Sequence, residues 1–394
     1  MKSLLKNILV KILASQVRRL RKKHDFKIIG VVGSIGKTST KLAIAKVLAS
    51  KKRVRFQEGN YNDIVSVPLV VFGHSMPPLW NVWQWLVIIF KNEYQIYFSY
   101  PFELVVLELG TDGPGQISQF RKYLHLDVAV LTAIAPEHME FFENIKNIAN
   151  EEWSVQYFSD LVFVNRDLCK ILPEDFDHEK IIFYGKESSL EYKPEVLSQV
   201  QLYSISAAVL IAKKFGVSEE KISESVNKIQ AFSGRMQKLT GIKNSIIIDD
   251  SYNASPDAVK MALDTLYKYP RTQKIAILGM MNELGDSSEV EHKKIGKYCD
   301  AKLLDWVVTI GKDANLFLAL AAKQNGCQVY EAKNSTDAGE FVKNKIGENA
   351  VILVKGSQNG VFAEEAIKPI LADQSDISKL VRQDKYWMEK KQVI

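Results

Sequence analysis

Cysteine is scarce in this chain. Cys169, Cys299 and Cys327 lie far apart, with neither the short ligand spacing of a zinc site nor the dense, even pattern of a disulfide framework. A reducing cytoplasm is therefore the expected setting. Long apolar runs are missing too. Lys6 and Lys11 interrupt the first stretch and no small-residue cleavage site follows it, which argues against a secretory leader. The uncharged run within residues 77–98 is too short to span a bilayer. Neither charge sign dominates: 52 Lys and Arg against 46 Asp and Glu leave +6, which suits an anionic ligand without demanding nucleic acid. Apolar content of 46% over 394 residues excludes general disorder and fits two or three folded domains. No repeat or low-complexity tract is present.

Short apolar runs bounded by turn residues carry the fold. "FKIIGVVGS", "FELVVLELG", "LDVAVLTAI", "LVFVN" and "KIIFYG" read as strands, with "KTSTKLAIAKVLASKK" a helix between the first two. Continuous apolar strands alternating with helices predict an α/β unit whose mostly parallel sheet is covered on both faces. Residues 204–229 turn helical, with Gly216 as a stop. A second α/β series follows: "SIIIDD", "SPDAVKMALDTLYKY", "KIAILG", "DWVVTIG" and "AVILVKG". The expected organisation is a basic N-terminal helix (1–25), a central domain (26–231) and a C-terminal domain (232–394), ending in "KLVRQDKYWMEKK" as a charged, solvated helix.

Two segments stand outside this scheme. In residues 1–25, Leu4, Leu5, Ile8, Leu9 and Ile12 share one helical side, and Arg18 to Lys23 form a basic cluster. The segment reads as a helix packed on the protein body or as one lying on an anionic membrane surface. Residues 77–98, "PPLWNVWQWLVIIFKNEYQIYF", predict a buried or interfacial helix. Core packing is the leading expectation for its three tryptophans; a substrate cleft, a partner surface and a membrane interface are the alternatives.

The chemistry starts at Gly33-Ser34-Ile35-Gly36-Lys37-Thr38-Ser39. Backbone N–H groups at a helix N-terminus attract anions, and glycine lets phosphate approach closely. Lys37 is placed for β- and γ-phosphates and the Thr38 hydroxyl for Mg²⁺. The usual P-loop has its first Gly where Val31 stands, so an ordinary Gly-rich turn is the competing reading. Glu108 ends a predicted parallel strand, where such sheets place their ligands, and suits Mg²⁺ or a salt bridge. His138 follows another strand end. Glu152 falls on the inward stripe of a helix over 145–158, a costly place for a carboxylate unless it is paired or bound to metal; Glu151 falls at the edge. In the second half, Asp249 and Asp250 end a strand, Asn253 lies in the turn, Ser255 is an N-cap with Pro256 first in the helix, and Arg235 could reach nucleotide phosphates.

These blocks, in this order, resemble the Mur ligase superfamily. They are a GxxGKT loop, a strand-end Glu, a His after a strand, Gly234-Arg235, then "DDSYNASP" from Asp249. The irregular loop spacing is that family's own. "DDSYNASP", "ELGDSSEVEH" and "VKGSQ" look most like the branch that adds D-alanyl-D-alanine to a UDP-N-acetylmuramoyl-tripeptide. The resemblance implies a P-loop-type central ATPase domain, a Rossmann-like C-terminal α/β domain, and an ADP-forming ligase using ATP and Mg²⁺. Lys37, His138 and Glu152 would serve catalysis. Gly33 to Ser39, Arg235, Asp250, Tyr252 and Asn253 would hold the nucleotide, and Thr38, Glu108, His138 and Glu152 the metal. The implied partners are a muramoyl-peptide-like carboxylate and an amino acid or dipeptide amine, with no nucleic acid, for a cytoplasmic monomer; the basic helix and the Trp-rich segment add peripheral membrane contact as an expectation.

The sequence departs from that pattern in several places. Glu152 stands where the family has a lysine that becomes carbamylated, and is read as a ready-made carboxylate in its place. Met280 replaces an Asp, and Ala133 a frequent Asn. Only about 26 residues precede the first predicted strand, where full-length members carry a UDP-sugar-binding domain. A ligase joining amino acids to another carboxylate (cyanophycin- or folate-like) and an ATP-binding regulatory protein with degraded catalysis are the other readings.

Overall fold

The computed structural model describes residues 2–57, 59, 61–175, 177–192, 198–270 and 273–391; the side chains of Leu4 and Leu5 lie outside that description. The chain forms two compact units, one built from most of Met1–Ile229 and one from Gln230–Ile394 together with Pro136–Glu140.

The first unit has six strands: β1 (Lys27–Val32), β2 (Val54–Arg55), β3 (Leu104–Glu108), β4 (Val128–Leu131), β5 (Val162–Asn165) and β6 (Ile181–Tyr184). They form one sheet in the order β2-β3-β1-β4-β5-β6, with every pair parallel. All residues of β3, β4 and β5 are buried, which is why their sequences are apolar without alternation. β1 lies where the chain switches direction across the sheet. Such a switch opens a crevice at the carboxyl ends of the strands. Register places Val31 opposite Glu108 on one side and Val130 on the other, so Glu108 ends up beside the turn that follows β1.

The helices of this unit include α1 (Lys2–Lys23), α2 (Lys37–Leu48), α3 (Val82–Tyr97), the short α4 (Gln116–Phe120) and α5 (Ile145–Trp153); α2 starts at that turn and α5 carries Glu152, which bonds to it. Residues 199–227 form α6 (Gln199–Lys214) and α7 (Glu219–Asn227), broken at Gly216 as expected. α1 does pack on the body. Leu9, Leu13, Val17 and Leu20 are buried, each contributing roughly 1.5–3 kcal/mol. Of the expected apolar side, Leu9 is buried, Ile12 half-buried and Ile8 exposed; the side chains of Leu4 and Leu5 lie outside the described residues.

The expectation of core packing holds for Trp85, which packs with Leu9, Leu13 and Leu69, but not for the other two tryptophans of residues 77–98. Trp85, Ile88, Asn92 and Ile96 are the buried residues of α3. Asn92 donates to the Gln16 side chain at 2.8 Å and shares a 2.9 Å bond with His74, which docks α3 against α1. Trp80 and Trp83 are each 79% exposed. The helix is apolar on both faces, so periodicity did not show which one is inward.

In the second unit, β7 (Gln237–Gly241), β8 (Ser245–Asp250), β9 (Lys274–Gly279), β10 (Trp306–Ile310), β11 (Val329–Ala332) and β12 (Val351–Lys355) form a sheet ordered β11-β10-β9-β12-β8-β7. All pairs are parallel except β7 with β8. α8 (Pro256–Tyr267) follows β8, with Ser255 at the N-cap and Pro256 at its start. The final segment also departs from expectation. Only α9 (Lys385–Lys391) is helical, and neither Arg382 nor Lys391 is solvated.

Candidate functional site

The turn after β1 is held by its own backbone. Gly33 has φ 121°, and a Cβ there would run into Thr132 Oγ1 and lie 2.9 Å from Ala133 N, so only glycine fits. Ser34 N donates to Ala133 O at 2.9 Å and Ser34 Oγ accepts from Ala135 N at 3.1 Å, so Ala133 serves through its backbone. Gly36, at φ 87°, opens α2. Twelve residues of α2 then present an N-terminus with no acidic residue in its first turn, which favours an anion. Lys37 Nζ folds back onto Gly33 O.

Two buried carboxylates, Glu108 and Glu152, bond directly to this turn. Glu108 Oε2 accepts from Thr38 Oγ1 at 2.9 Å and lies 3.2 Å from Lys41 Nζ. Both Lys41 and Glu108 are almost fully buried, so each charge compensates the other. Glu152 Oε2 accepts from Gly33 N at 2.7 Å, so this carboxylate seats the turn. Glu151 is not at an edge. It accepts from Gly115 N and Ile117 N, both at 2.6 Å, and so caps the start of α4. Cys169, near Glu152, has its thiol pushed well up, mainly by burial, and is no nucleophile.

In the second unit, the antiparallel β7–β8 pair brings two motifs together. Tyr252 N donates to Gly234 O at 3.0 Å and Met236 N to Asp250 Oδ1 at 3.1 Å. The Arg235 guanidinium lies 4.1 Å from the centre of the Tyr252 ring. Lys355 Nζ sits 2.5 Å from Asp250 Oδ2 and donates to Asn253 O at 3.0 Å. Asp249 Oδ1 accepts from Ser251 N at 3.0 Å, and burial pushes its carboxyl up to about 6. Arg382 grips Glu364 with two nitrogens, at 2.8 and 2.6 Å, and donates to Ser251 O and Tyr252 O at 2.7 and 2.9 Å. His138 Nδ1 lies 2.7 Å from Glu283 Oε2, and this contact holds the Glu283 carboxyl below its usual range.

The structure thus gathers Thr38 and Glu108, sets Glu152 on Gly33, and clusters Arg235, Asp250, Tyr252 and Asn253. It groups His138 with Glu283 in the second unit. Among the described residues, no three His, Cys, Asp or Glu side chains converge as a metal cluster. The Thr38 hydroxyl and the Glu108 carboxylate are the hard oxygen donors that Mg²⁺ prefers, so this pair fits that ion. Sequence reasoning missed Lys41, Lys355 and Arg382. Lys41 and Lys355 stand inside "KTSTKLAIAKVLASKK" and "VKGSQ", which by themselves assign neither of them a role.

Comparison with known proteins follows the same division. Residues 98–222 match the Mur ligase middle domain and residues 234–358 the Mur ligase glutamate ligase domain. The UDP-N-acetylmuramoyl-tripeptide–D-alanyl-D-alanine ligase of Bacillus subtilis (strain 168) is 26% identical over 377 residues, covering 88% of this chain and 76% of that protein. The ligase of the same name from Escherichia coli (strain K12) is 23% identical, covering 88% and 77%. Among solved structures, a MurF ligase from Thermotoga maritima in complex with ADP superposes with a TM-score of 0.71 at 21% identity, covering 91% of this chain and 84% of that one.

Proposed function

The chain belongs to the Mur ligase family, and from that premise we propose that it is an ATP-dependent, ADP-forming ligase that joins D-alanyl-D-alanine to a muramoyl-tripeptide carboxylate in cell-wall peptidoglycan synthesis. The observation that carries this reading is the Gly33–Thr38 turn opening α2 beside the Thr38–Glu108 pair at the end of β3. Relatives named for this same reaction support the choice of substrates.

In the proposed reaction, the acceptor carboxylate attacks the γ-phosphorus of ATP and ADP leaves. The amine then attacks the acyl phosphate carbon, and phosphate departs. The α2 N-terminus and Lys37 neutralise negative charge on the transferring group. Thr38 and Glu108 would hold Mg²⁺, which supplies positive charge at the phosphate oxygens. Glu152 keeps Gly33 in place and is the proposed carboxylate substitute for a carbamylated lysine, with His138 proposed for a second ion. Arg235, Asp250, Tyr252 and Asn253 are the proposed nucleotide contacts of the second unit. The proposed form is a cytoplasmic monomer.

Phosphate release tests the reading. Release should require ATP, a UDP-N-acetylmuramoyl-tripeptide and D-alanyl-D-alanine together, and Lys37→Ala should lower it by roughly 10²–10³-fold. Release that ignores the amine, or ATP binding without coupled release, would overturn it.

A further inference from the structure

The stripe of α3 opposite its buried face is unusual for a soluble surface. Trp83, Leu86, Val87, Phe90, Tyr94 and Tyr97 recur at three- and four-residue spacing along one side, and all are exposed. Trp83 is 79% exposed and Phe90 71%; Phe98, just past the helix, is 72% and Trp80, just before it, 79%. Large contiguous apolar patches on a soluble surface mark an interaction site. The composition narrows the partner. Trp and Tyr combine an apolar body with a polar tip, which suits a boundary between hydrocarbon and water.

Charge decides the occupant. α1, packed beside α3, carries eight Lys and Arg and no acid. Two of its cations border the stripe: Lys23 Nζ lies 3.8 Å from the centre of the Tyr97 ring and Arg19 Cζ 5.6 Å from it. Arg19 also donates to Glu93 of α3 at 2.8 Å, which fixes that edge of the helix pair. Lys91 is exposed on α3 itself, and Lys22 on α1. The chain's net charge is +6, so everything outside α1 sums to about −2. The net basicity of the protein thus resides in α1; Arg21 turns to Asp127 and Arg18 to the Lys122 carbonyl, which leaves Arg19, paired with Glu93, and the exposed Lys23 at the edge shared with the aromatic face. A second copy docked on this face would bring a like-charged rim against the first. An anionic surface neutralises the rim and takes up the aromatics.

We propose that α3, with the basic edge of α1, docks the protein onto the surface of an anionic lipid bilayer. The helix pair lies on the membrane: among the described residues, no helix is long and apolar enough to cross one. Contact would bury the stripe at the headgroup boundary, while α1 draws on the negative surface potential within a Debye length. The proposal stands apart from the ligase reading and does not depend on it.

Flotation of the full chain with vesicles tests this. At low salt the protein should float with phosphatidylglycerol vesicles. Binding should fall at least about tenfold on pure phosphatidylcholine and in 0.5 M salt, as a cationic surface contact requires. Tryptophan emission should shift to the blue on the anionic vesicles. Trp83→Ser with Phe90→Ser should abolish flotation while leaving the thermal midpoint unchanged, because both side chains are already in water. Lys22→Glu with Lys23→Glu should weaken it on anionic vesicles. Absence of flotation by the unaltered chain would overturn the proposal, as would flotation that survives Trp83→Ser with Phe90→Ser. So would concentration-dependent dimerisation, lost in that variant, without vesicle binding; the face would then belong to a second copy.

Discussion

Single side chains here carry charge into places that cost energy, and each has a compensating group nearby. Asp249 is compensated least well. It is buried, its Oδ1 accepts from Ser251, and burial raises its carboxyl from 3.8 to about 6, with Asp250 and Glu364 adding to the rise. The sign follows from proton counting. Between pH 4 and 6 the folded chain holds a proton that the unfolded chain has released. The stabilisation is therefore complete below pH 4 and is lost as pH rises through about 6. At neutral pH the ionised group costs up to roughly 3 kcal/mol. Asp249→Asn keeps an acceptor for Ser251 and removes the charge. In urea melts the variant should be more stable than the parent by about 1–3 kcal/mol at pH 7.5, with the gap closing below pH 4. A constant difference across that range would show that Asp249 does not titrate as the burial implies.

At the scale of elements, the C-terminal segment acts as a latch. Arg382 spans the Glu364 carboxylate and two backbone carbonyls of the Ser251–Tyr252 turn, and Lys391 Nζ lies 2.8 Å from the same Glu364. Arg382→Ala should cost about 3–5 kcal/mol in urea unfolding, since it leaves the buried Glu364 carboxylate to Lys391 alone and removes the donor from the Ser251 and Tyr252 carbonyls. Arg382→Lys should recover only part of that, because an ammonium lacks the planar fork that reaches all of these acceptors. Full recovery by Lys would reduce the latch to a simple charge pair. Much of the fold was legible where burial is two-sided: "KIIGVV", "LVVLE" and "SIIIDD" are strands because water meets neither face. β7 and β11 escaped because short edge strands alternate with polar residues and resemble loops. The phosphate turn and Glu108 could be read from local spacing. Lys355 and Arg382 could not, because their partners lie 105 and 18 residues away and basic side chains face water by default. The α3 stripe was equally hidden, since Trp83 and Trp85 look alike in sequence and differ only in which face the neighbouring α1 covers.

For the whole molecule, each unit has its own apolar core, so a ligand held by one turn should first stabilise the unit containing that turn. Binding stabilises by mass action, whatever the later chemistry. At one hundred times its dissociation constant, ATP adds about 2.7 kcal/mol. For a unit of this size that raises the melting midpoint by about 5–10 °C. Calorimetry should therefore show the transition of the first unit moving up with ATP and Mg²⁺. The shift should shrink without Mg²⁺, if Thr38 and Glu108 hold the ion, and should nearly vanish in Lys37→Ala, which removes the cation at the phosphates. No shift at saturating ATP, or a shift that Lys37→Ala retains, would place the nucleotide somewhere other than Gly33–Thr38. Because this measurement needs neither acceptor nor amine, it separates nucleotide binding from ligation. A chain that passes it and yet releases no phosphate with both substrates present would be a nucleotide-binding protein on a ligase fold.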